Sequence, residues 1–180
     1  MTDAPMIGGK RRIDQVLAAE FAAGLQDIDL EELRRRRDLS RAEREYLSYL
    51  RRLIQGRRDI LQAELDRRRR GGDDEGSLLA DIAAILADAP VGPSRGEAMV
   101  VAIPDEEITL ARRRVERLVS DSRLSNLPEL SDEELEEAIS RLDEEERNLS
   151  DLRGSVIAVH DSLQAELVRR YRERLSGRFG

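Results

Sequence analysis

The chain has 180 residues, enough for one domain or one domain with an arm, and 38% of them are charged while only 3% are aromatic. That profile excludes a thick globular core and suits long, charge-laced helices that bury a narrow stripe. With no Cys there are no disulfides, no thiol redox chemistry and no thiolate metal site, and a net charge of −7 argues against general nucleic-acid binding and direct DNA contact.

No apolar run approaches the ~18–20 residues needed to span a bilayer. The opening MTDAPMIGGKRR lacks the apolar region of a signal peptide, so a cytoplasmic protein without a membrane span is expected. Lys occurs only at Lys10 and every other basic side chain is Arg. Arg codons are mostly GC-rich, which points to a high-GC bacterial genome.

In chain order, residues 1–12 are short, polar and Gly-containing, and are expected to be a disordered N-terminus. Ile13, Val16, Leu17, Phe21 and Leu25 recur at near-helical spacing, predicting a short amphipathic helix arm within 13–28. Asp29 and Glu32 have capping-box spacing, and nothing stops the helical pattern before Gly71-Gly72. A first long helix is therefore expected over 29–70, about 60 Å in length.

The stretch 71–130 reads as a linker with two short helices, 77–88 (SLLADIAAILAD) and about 105–122. The second follows Pro104 and carries Ile108, Leu110, Val115, Leu118 and Val119. The segment 98–104 (AMVVAIP) has strand-like composition, but a lone strand has nothing to pair with. Ser131 and Glu134 form a second capping box after Pro128, opening a second long helix over 131–176. The acidic run 132–138 that follows favours the helix macrodipole and needs no other role. Helices of this length belong in a coiled coil. The expected fold is all-α, an antiparallel coiled-coil hairpin of two long helices with short additional helices. The middle segments at 77–88 and 105–122 are expected to pack on the hairpin or on a partner; with no other evident burial site for their apolar faces, they and 13–26 are the expected arms for gripping that partner.

The two long segments contain a duplication. Residues 47–68 (LSYLRRLIQGRRDILQAELDRR) and 149–170 (LSDLRGSVIAVHDSLQAELVRR) are identical at 12 of 22 positions. Ordinary residue usage gives about two or three by chance. Leu47, Leu50, Leu61 and Leu65 recur as Leu149, Leu152, Leu163 and Leu167, an apolar seam. Ser48, Arg51, Asp59 and Gln62 recur as Ser150, Arg153, Asp161 and Gln164, a polar row beside it. Packing explains a recurring seam; a recurring polar row needs another cause.

In the first copy Ser48, Arg51, Gln55 and Asp59 fall at i, i+3, i+7 and i+11, a nearly straight ladder along a helix. In the second, Ser150, Arg153 and Asp161 repeat it, with Glu146 one turn earlier. A guanine edge offers acceptors to a guanidinium and N–H donors to a carboxylate, and Arg also stacks on bases or grips phosphate. Two such ladders suit a twofold-symmetric ligand, a cyclic dinucleotide. The plainer reading is that each row carries intrahelical ion pairs beside a coiled-coil seam. Against it stand Gly56 and Gly154, each directly after a row residue in mid-helix, where Gly costs about 1 kcal/mol relative to Ala. Such a glycine clears room for a ligand or for a closely packed helix.

At these residues the chain resembles the actinobacterial cyclic-di-GMP-responsive anti-sigma factor of RsiG type, whose signature Glu-x3-Ser-x2-Arg-x3-Gln-x3-Asp occurs twice. The first copy supplies Ser48, Arg51, Gln55 and Asp59, with Arg44 in the glutamate slot; the second supplies Glu146, Ser150, Arg153 and Asp161, with Ile157 in the glutamine slot. The resemblance implies an antiparallel coiled coil that binds a pair of cyclic-di-GMP molecules. With ligand bound, it would silence a sporulation sigma factor of the flagellar class (WhiG type). The Arg-rich stretches 51–58 and 67–70 would supply charge for the ligand phosphates.

Other motifs lead nowhere. Gly8-Gly9-Lys10 lacks the upstream P-loop glycine, and Asp73-Asp74-Glu75 lacks calcium-loop spacing. His160 is the only histidine, so no His cluster can hold zinc, and it has no nucleophile–base constellation; a partly exposed position at the seam edge is expected. Nothing points to catalysis or to a metal. Two readings besides the anti-sigma factor survive: a structural or adaptor coiled coil without ligand, and a cyclic-dinucleotide-dependent binder of another regulator.

Overall fold

The computed structural model describes residues 11–71, 103–120, 123, 124 and 126–176. The expected helix over 77–88, the flanking linkers and most of the strand-like segment lie outside the described residues, as do Gly8-Gly9-Lys10 and Asp73-Asp74-Glu75. The elements are α1 (Arg12–Val16), a 3-10 turn (Ala19–Phe21), α2 (Leu30–Arg69), α3 (Asp105–Leu118), a second 3-10 turn (Leu127–Glu129) and α4 (Asp132–Ser176). Among the described residues there is no strand, and the two long helices pair antiparallel as a hairpin.

Both long helices start where their caps dictate. The Glu32 backbone N–H donates to Asp29 Oδ1 at 2.7 Å. At α4 the box closes from both sides: the Glu134 N–H donates to Ser131 Oγ at 3.2 Å, and the Ser131 N–H to Glu134 Oε2 at 2.9 Å.

The seam follows a strict seven-residue repeat. On α2 the buried residues Leu33, Ser40, Leu47, Ile54 and Leu61 occupy every seventh position, as do Leu135, Leu142, Leu149, Val156 and Leu163 on α4. These are the a positions of a heptad. The d positions of α2, three residues further on, are Arg36, Glu43, Leu50, Arg57 and Glu64. A two-stranded coil wants apolar residues there. In this chain the charged ones hold a third element against the hairpin, as the two compact units of the structure show separately.

One unit comprises residues 46–151. Its core joins Leu47, Leu50, Ile54, Leu61 and Leu65 of α2 to Leu135, Ala138, Leu142 and Leu149 of α4, with Ala111 and Val115 of α3 and the following Val119 and Leu127. Fully burying a Leu or Val contributes about 1.5–3 kcal/mol. The polar d positions fasten what lies over them. Arg57 Nη1 donates to the Val119 carbonyl at 3.0 Å, and Arg114 of α3 reaches Glu145 of α4 at 2.6 Å. Glu64, with a fully buried side chain, accepts from Arg67 and Arg68. The Arg67 hydrogen bond is the main cause of its carboxyl lying below the usual range. Arg68 also donates to the carbonyls of Leu127 and Leu130 and to Asp132. Of the two expectations for 105–122, packing on the hairpin is the one realised: Ala111, Val115 and Val119 are buried there, while α3 exposes Leu110 together with Asp105, Glu106, Thr109, Arg112, Arg113, Glu116 and Arg117.

The other unit comprises residues 1–45 and 152–180. Val16 and Phe21 pack with Leu33 of α2 and with Val156, Leu163 and Leu167 of α4 in its core. The d positions work as before. Arg12 donates to Glu43 at 2.6 Å, and Arg36 Nη1 donates to the Phe21 carbonyl at 2.9 Å with its guanidinium 5.6 Å from the Phe21 ring centre. Arg170 of α4 donates to the carbonyls of Leu25 and Ile28. The predicted single helix over 13–26 is realised as α1 and a 3-10 turn separated by an extended Ala18. Five residues apart on a straight helix, Val16 and Phe21 would point about 140° away from each other. The break lets both enter one core, and this packing overrides the helix propensity of an Ala-rich stretch.

Candidate functional site

The ladder follows from the heptad. With the seam at a and the third elements fastened at d, the e and b positions form the opposite flank of each helix. Arg51 and Glu146 are e residues; Ser48, Gln55 and Ser150 are b residues. Antiparallel packing turns e toward e, so the arginine of the first copy meets the glutamate of the second.

All of this lies in the unit of residues 46–151. Oε1 of Glu146 accepts four hydrogen bonds: from Arg51 Nε at 2.9 Å and Nη2 at 2.6 Å, from Gln55 Nε2 at 3.3 Å and from Ser150 Oγ at 3.1 Å. Two residues from each signature copy therefore converge on one oxygen. The side chains of Arg51 and Glu146 retain 27% and 19% exposure, so the pair is shielded yet open to a ligand. Hydrogen bonding by Arg51 is the chief cause that holds the Glu146 carboxyl below its usual range; partial burial opposes it and Ser150 assists. Among the described residues no donor reaches Oε2 of Glu146. The site thus offers a fixed carboxylate with one free oxygen beside a guanidinium.

Asp59 does not join this cluster. Its Oδ1 accepts from Arg58 Nη2 at 2.7 Å, and Arg58 Nη1 lies 3.5 Å from Asp143 of α4. Asp143 was not singled out by the sequence; Arg58, the e residue one heptad after Arg51, was expected only as part of the Arg-rich stretch 51–58 that would face ligand phosphates. Ser48 is half-buried in the same unit. Arg153, half-buried, and Asp161, exposed, belong to the unit of residues 1–45 and 152–180.

Among the described residues a Cβ on Gly56 or Gly154 would meet nothing within 4 Å, so neither glycine makes room for a described helix of this chain. His160 departs from expectation: it is 6% exposed, and its Nδ1 lies 3.1 Å from Oγ of the fully buried Ser40. Ser40 Oγ also donates to the Arg37 carbonyl at 2.8 Å, an arrangement that suits the Nδ1–H tautomer of the ring, donating to Ser40. It sits at an e position that α2 covers, and is a core histidine of its unit. The arginines of 67–70 are structural as well. Arg67 and Arg68 serve Glu64, Arg69 pairs with Glu136 at 2.8 Å, and Arg70 donates to the Asp66 carbonyl.

Among the described residues no group of acidic or histidine side chains could hold a metal ion, and no helix is long and apolar enough to cross a membrane. No curated protein matches the chain. The RsiG-like family model matches residues 19–86, which is 68 of the 180 residues and includes all of α2 with the first ladder; the second ladder lies beyond the match. Over that segment the chain is RsiG-like, which supports an anti-sigma factor of RsiG type.

Proposed function

We propose that this protein is an anti-sigma factor that binds cyclic-di-GMP on the e/b flank of the hairpin and, with ligand bound, sequesters a sigma factor of the flagellar, sporulation class. The observation that carries the reading is the convergence of Arg51, Gln55 and Ser150 on Oε1 of Glu146. It leaves Oε2 for the N1–H and N2–H of a guanine, while Arg51 can extend its remaining Nη1 toward O6 and N7. The Arg51–Glu146 pair need not break to admit the base, so the site is preorganised and little ordering is lost on binding. Ligand spanning both helices would fix their register, and a sigma factor touching ligand and helices together would couple the two binding events.

Isothermal titration with cyclic-di-GMP tests this. Micromolar or tighter binding is expected, with at least about a tenfold loss on Glu146→Gln or on Arg51→Ala combined with Arg153→Ala. Pull-down of the sigma factor should require the dinucleotide. Absence of heat at micromolar concentrations, or affinity unmoved by these variants, refutes the ligand. The second reading, a coiled coil without ligand, is favoured by the same closure: a ladder that satisfies its own charges is ordinary decoration of a seam. A sigma factor caught equally with and without the dinucleotide would support it.

A further inference from the structure

One heptad beyond Arg51 the same flank of the hairpin carries a second charged group, within the same unit of residues 46–151. Arg58 Nη2 donates to Asp59 Oδ1 at 2.7 Å, and its Nη1 lies 3.5 Å from Oδ1 of Asp143 on α4. Asp143 stands three residues before Glu146, on the same face of its helix. The two groups are close enough to feel one another: the Arg51 hydrogen bond chiefly lowers the Glu146 carboxyl, and the charge of Arg58 adds to that effect. Together they set three carboxylates, Asp59, Asp143 and Glu146, against the two guanidinium groups of Arg51 and Arg58. A cyclic dinucleotide brings two phosphates to a flank that is already acidic, so a guanidinium has to change partners to receive them.

Arg51 is bound to Glu146 through two N–H groups, and Arg57 holds the Val119 carbonyl. Arg58 is held more loosely. Its side chain is 38% exposed, and those of Asp59 and Asp143 are 41% and 45% exposed. Ion pairs this open to water contribute little, so exchanging them costs little. Phosphate takes the guanidinium fork through charge-assisted hydrogen bonds. Arg51 and Arg58 are about 10 Å apart along the helix axis, a span that a nucleotide bridges between its base edge and its phosphate.

We propose that Arg58 is the phosphate-binding residue of this site and that Asp143 competes with the ligand for it, so that the dinucleotide binds by exchange of carboxylate for phosphate. The inference rests on the cyclic-di-GMP reading given above. It adds the group that meets the phosphate and the residue that restrains the affinity.

Isothermal titration of the full chain with cyclic-di-GMP, at low and high salt, reads both roles. Arg58→Gln should weaken binding at least about tenfold and flatten its salt dependence, and Arg58→Lys, which keeps the charge without the fork, should recover part of the loss. Asp143→Asn should tighten binding about threefold or more, although it removes an ion pair. Added to Arg58→Gln, the same change should move affinity by less than about twofold, because Asp143 acts through the arginine. Circular dichroism of each variant guards against unfolding. A folded Asp143→Asn variant with unchanged or weaker affinity means that the contact only ties α2 to α4, and overturns the inference alone. So does an Arg58→Gln variant that binds like the wild type, or a gain from Asp143→Asn that persists without Arg58. No binding by the wild-type chain overturns the cyclic-di-GMP reading and this inference with it.

Discussion

Gly56 and Gly154 allow the ligand reading to be tested through two quantities that should move in opposite directions. Both lie inside long helices, neither has positive φ, and a Cβ at either position would find open space. Replacing glycine by alanine in such a place stabilises a helix by about 0.5–1 kcal/mol, through the lower entropy of the unfolded chain and the better helix propensity of Ala. With no shared contacts the two changes should add, giving about 1–2 kcal/mol for Gly56→Ala with Gly154→Ala. In a protein of this size each kcal/mol raises Tm by about 2–4 °C. Urea unfolding followed by circular dichroism measures the gain directly. If the open space is where the dinucleotide lies, the same variants should weaken cyclic-di-GMP binding by about fivefold or more, since the added methyl occupies ligand volume. Gain in stability with loss of affinity is a pattern that helix packing does not produce. A destabilised variant refutes the open-space argument; a stabilised variant with unchanged affinity refutes the assignment of that space to the ligand.

Acid should weaken the fold through carboxylates held by arginine. Glu32 and Glu166 are lowered to about 2 by hydrogen bonds from Arg35 with Arg36 and from Arg169 with Arg170 respectively. A carboxyl depressed in the folded state stabilises fully above its unfolded value near 4.5 and loses that contribution as pH falls toward 2. Tm should therefore drop between pH 4.5 and pH 2, and Glu166→Gln should shrink the drop; an unchanged drop counts against the linkage. Ser40→Ala should cost about 1–2 kcal/mol by leaving the buried His160 Nδ1–H without its acceptor, and adding His160→Leu should recover part of the loss, because both partners are then apolar. A double variant that is worse than the sum of the two singles would contradict this account.

Much of the frame was legible because it is local or periodic. The capping pairs at Asp29 and Ser131 mark the two long helices to within a residue, and the recurrence of Leu47, Leu50, Leu61 and Leu65 states the seam. What fastens the third elements to the hairpin was not legible, since that signal is charge at d positions. Arg36, Glu43, Arg57 and Glu64 look in sequence like defects in a heptad, and only the partners Phe21, Arg12, Val119 and Arg68 show them to be anchors. The same blindness put His160 at the seam edge and left open whether α3 packs on the hairpin or on a partner. A helical pattern states which face a residue is on and is silent about what covers that face.

The ladder illustrates a subtler limit. Read along one helix, Arg44 is a fault in the first copy and Ile157 a fault in the second, one apiece. Antiparallel pairing redistributes them. Glu146, the intact glutamate of the second copy, serves Arg51 of the first, so Arg51 keeps both its own Gln55 and a carboxylate. Arg44, by the same register, falls opposite Arg153, which also carries the isoleucine on its own helix. Two substitutions that look evenly divided between the copies thereby fall in one register, and the Arg51–Glu146 register keeps both a carboxylate and an amide. The duplicated sequence is near-symmetric, but the contacts it makes across the hairpin are not: the set of Arg51, Gln55, Ser150 and Glu146 draws on both copies, and neither copy alone contains it.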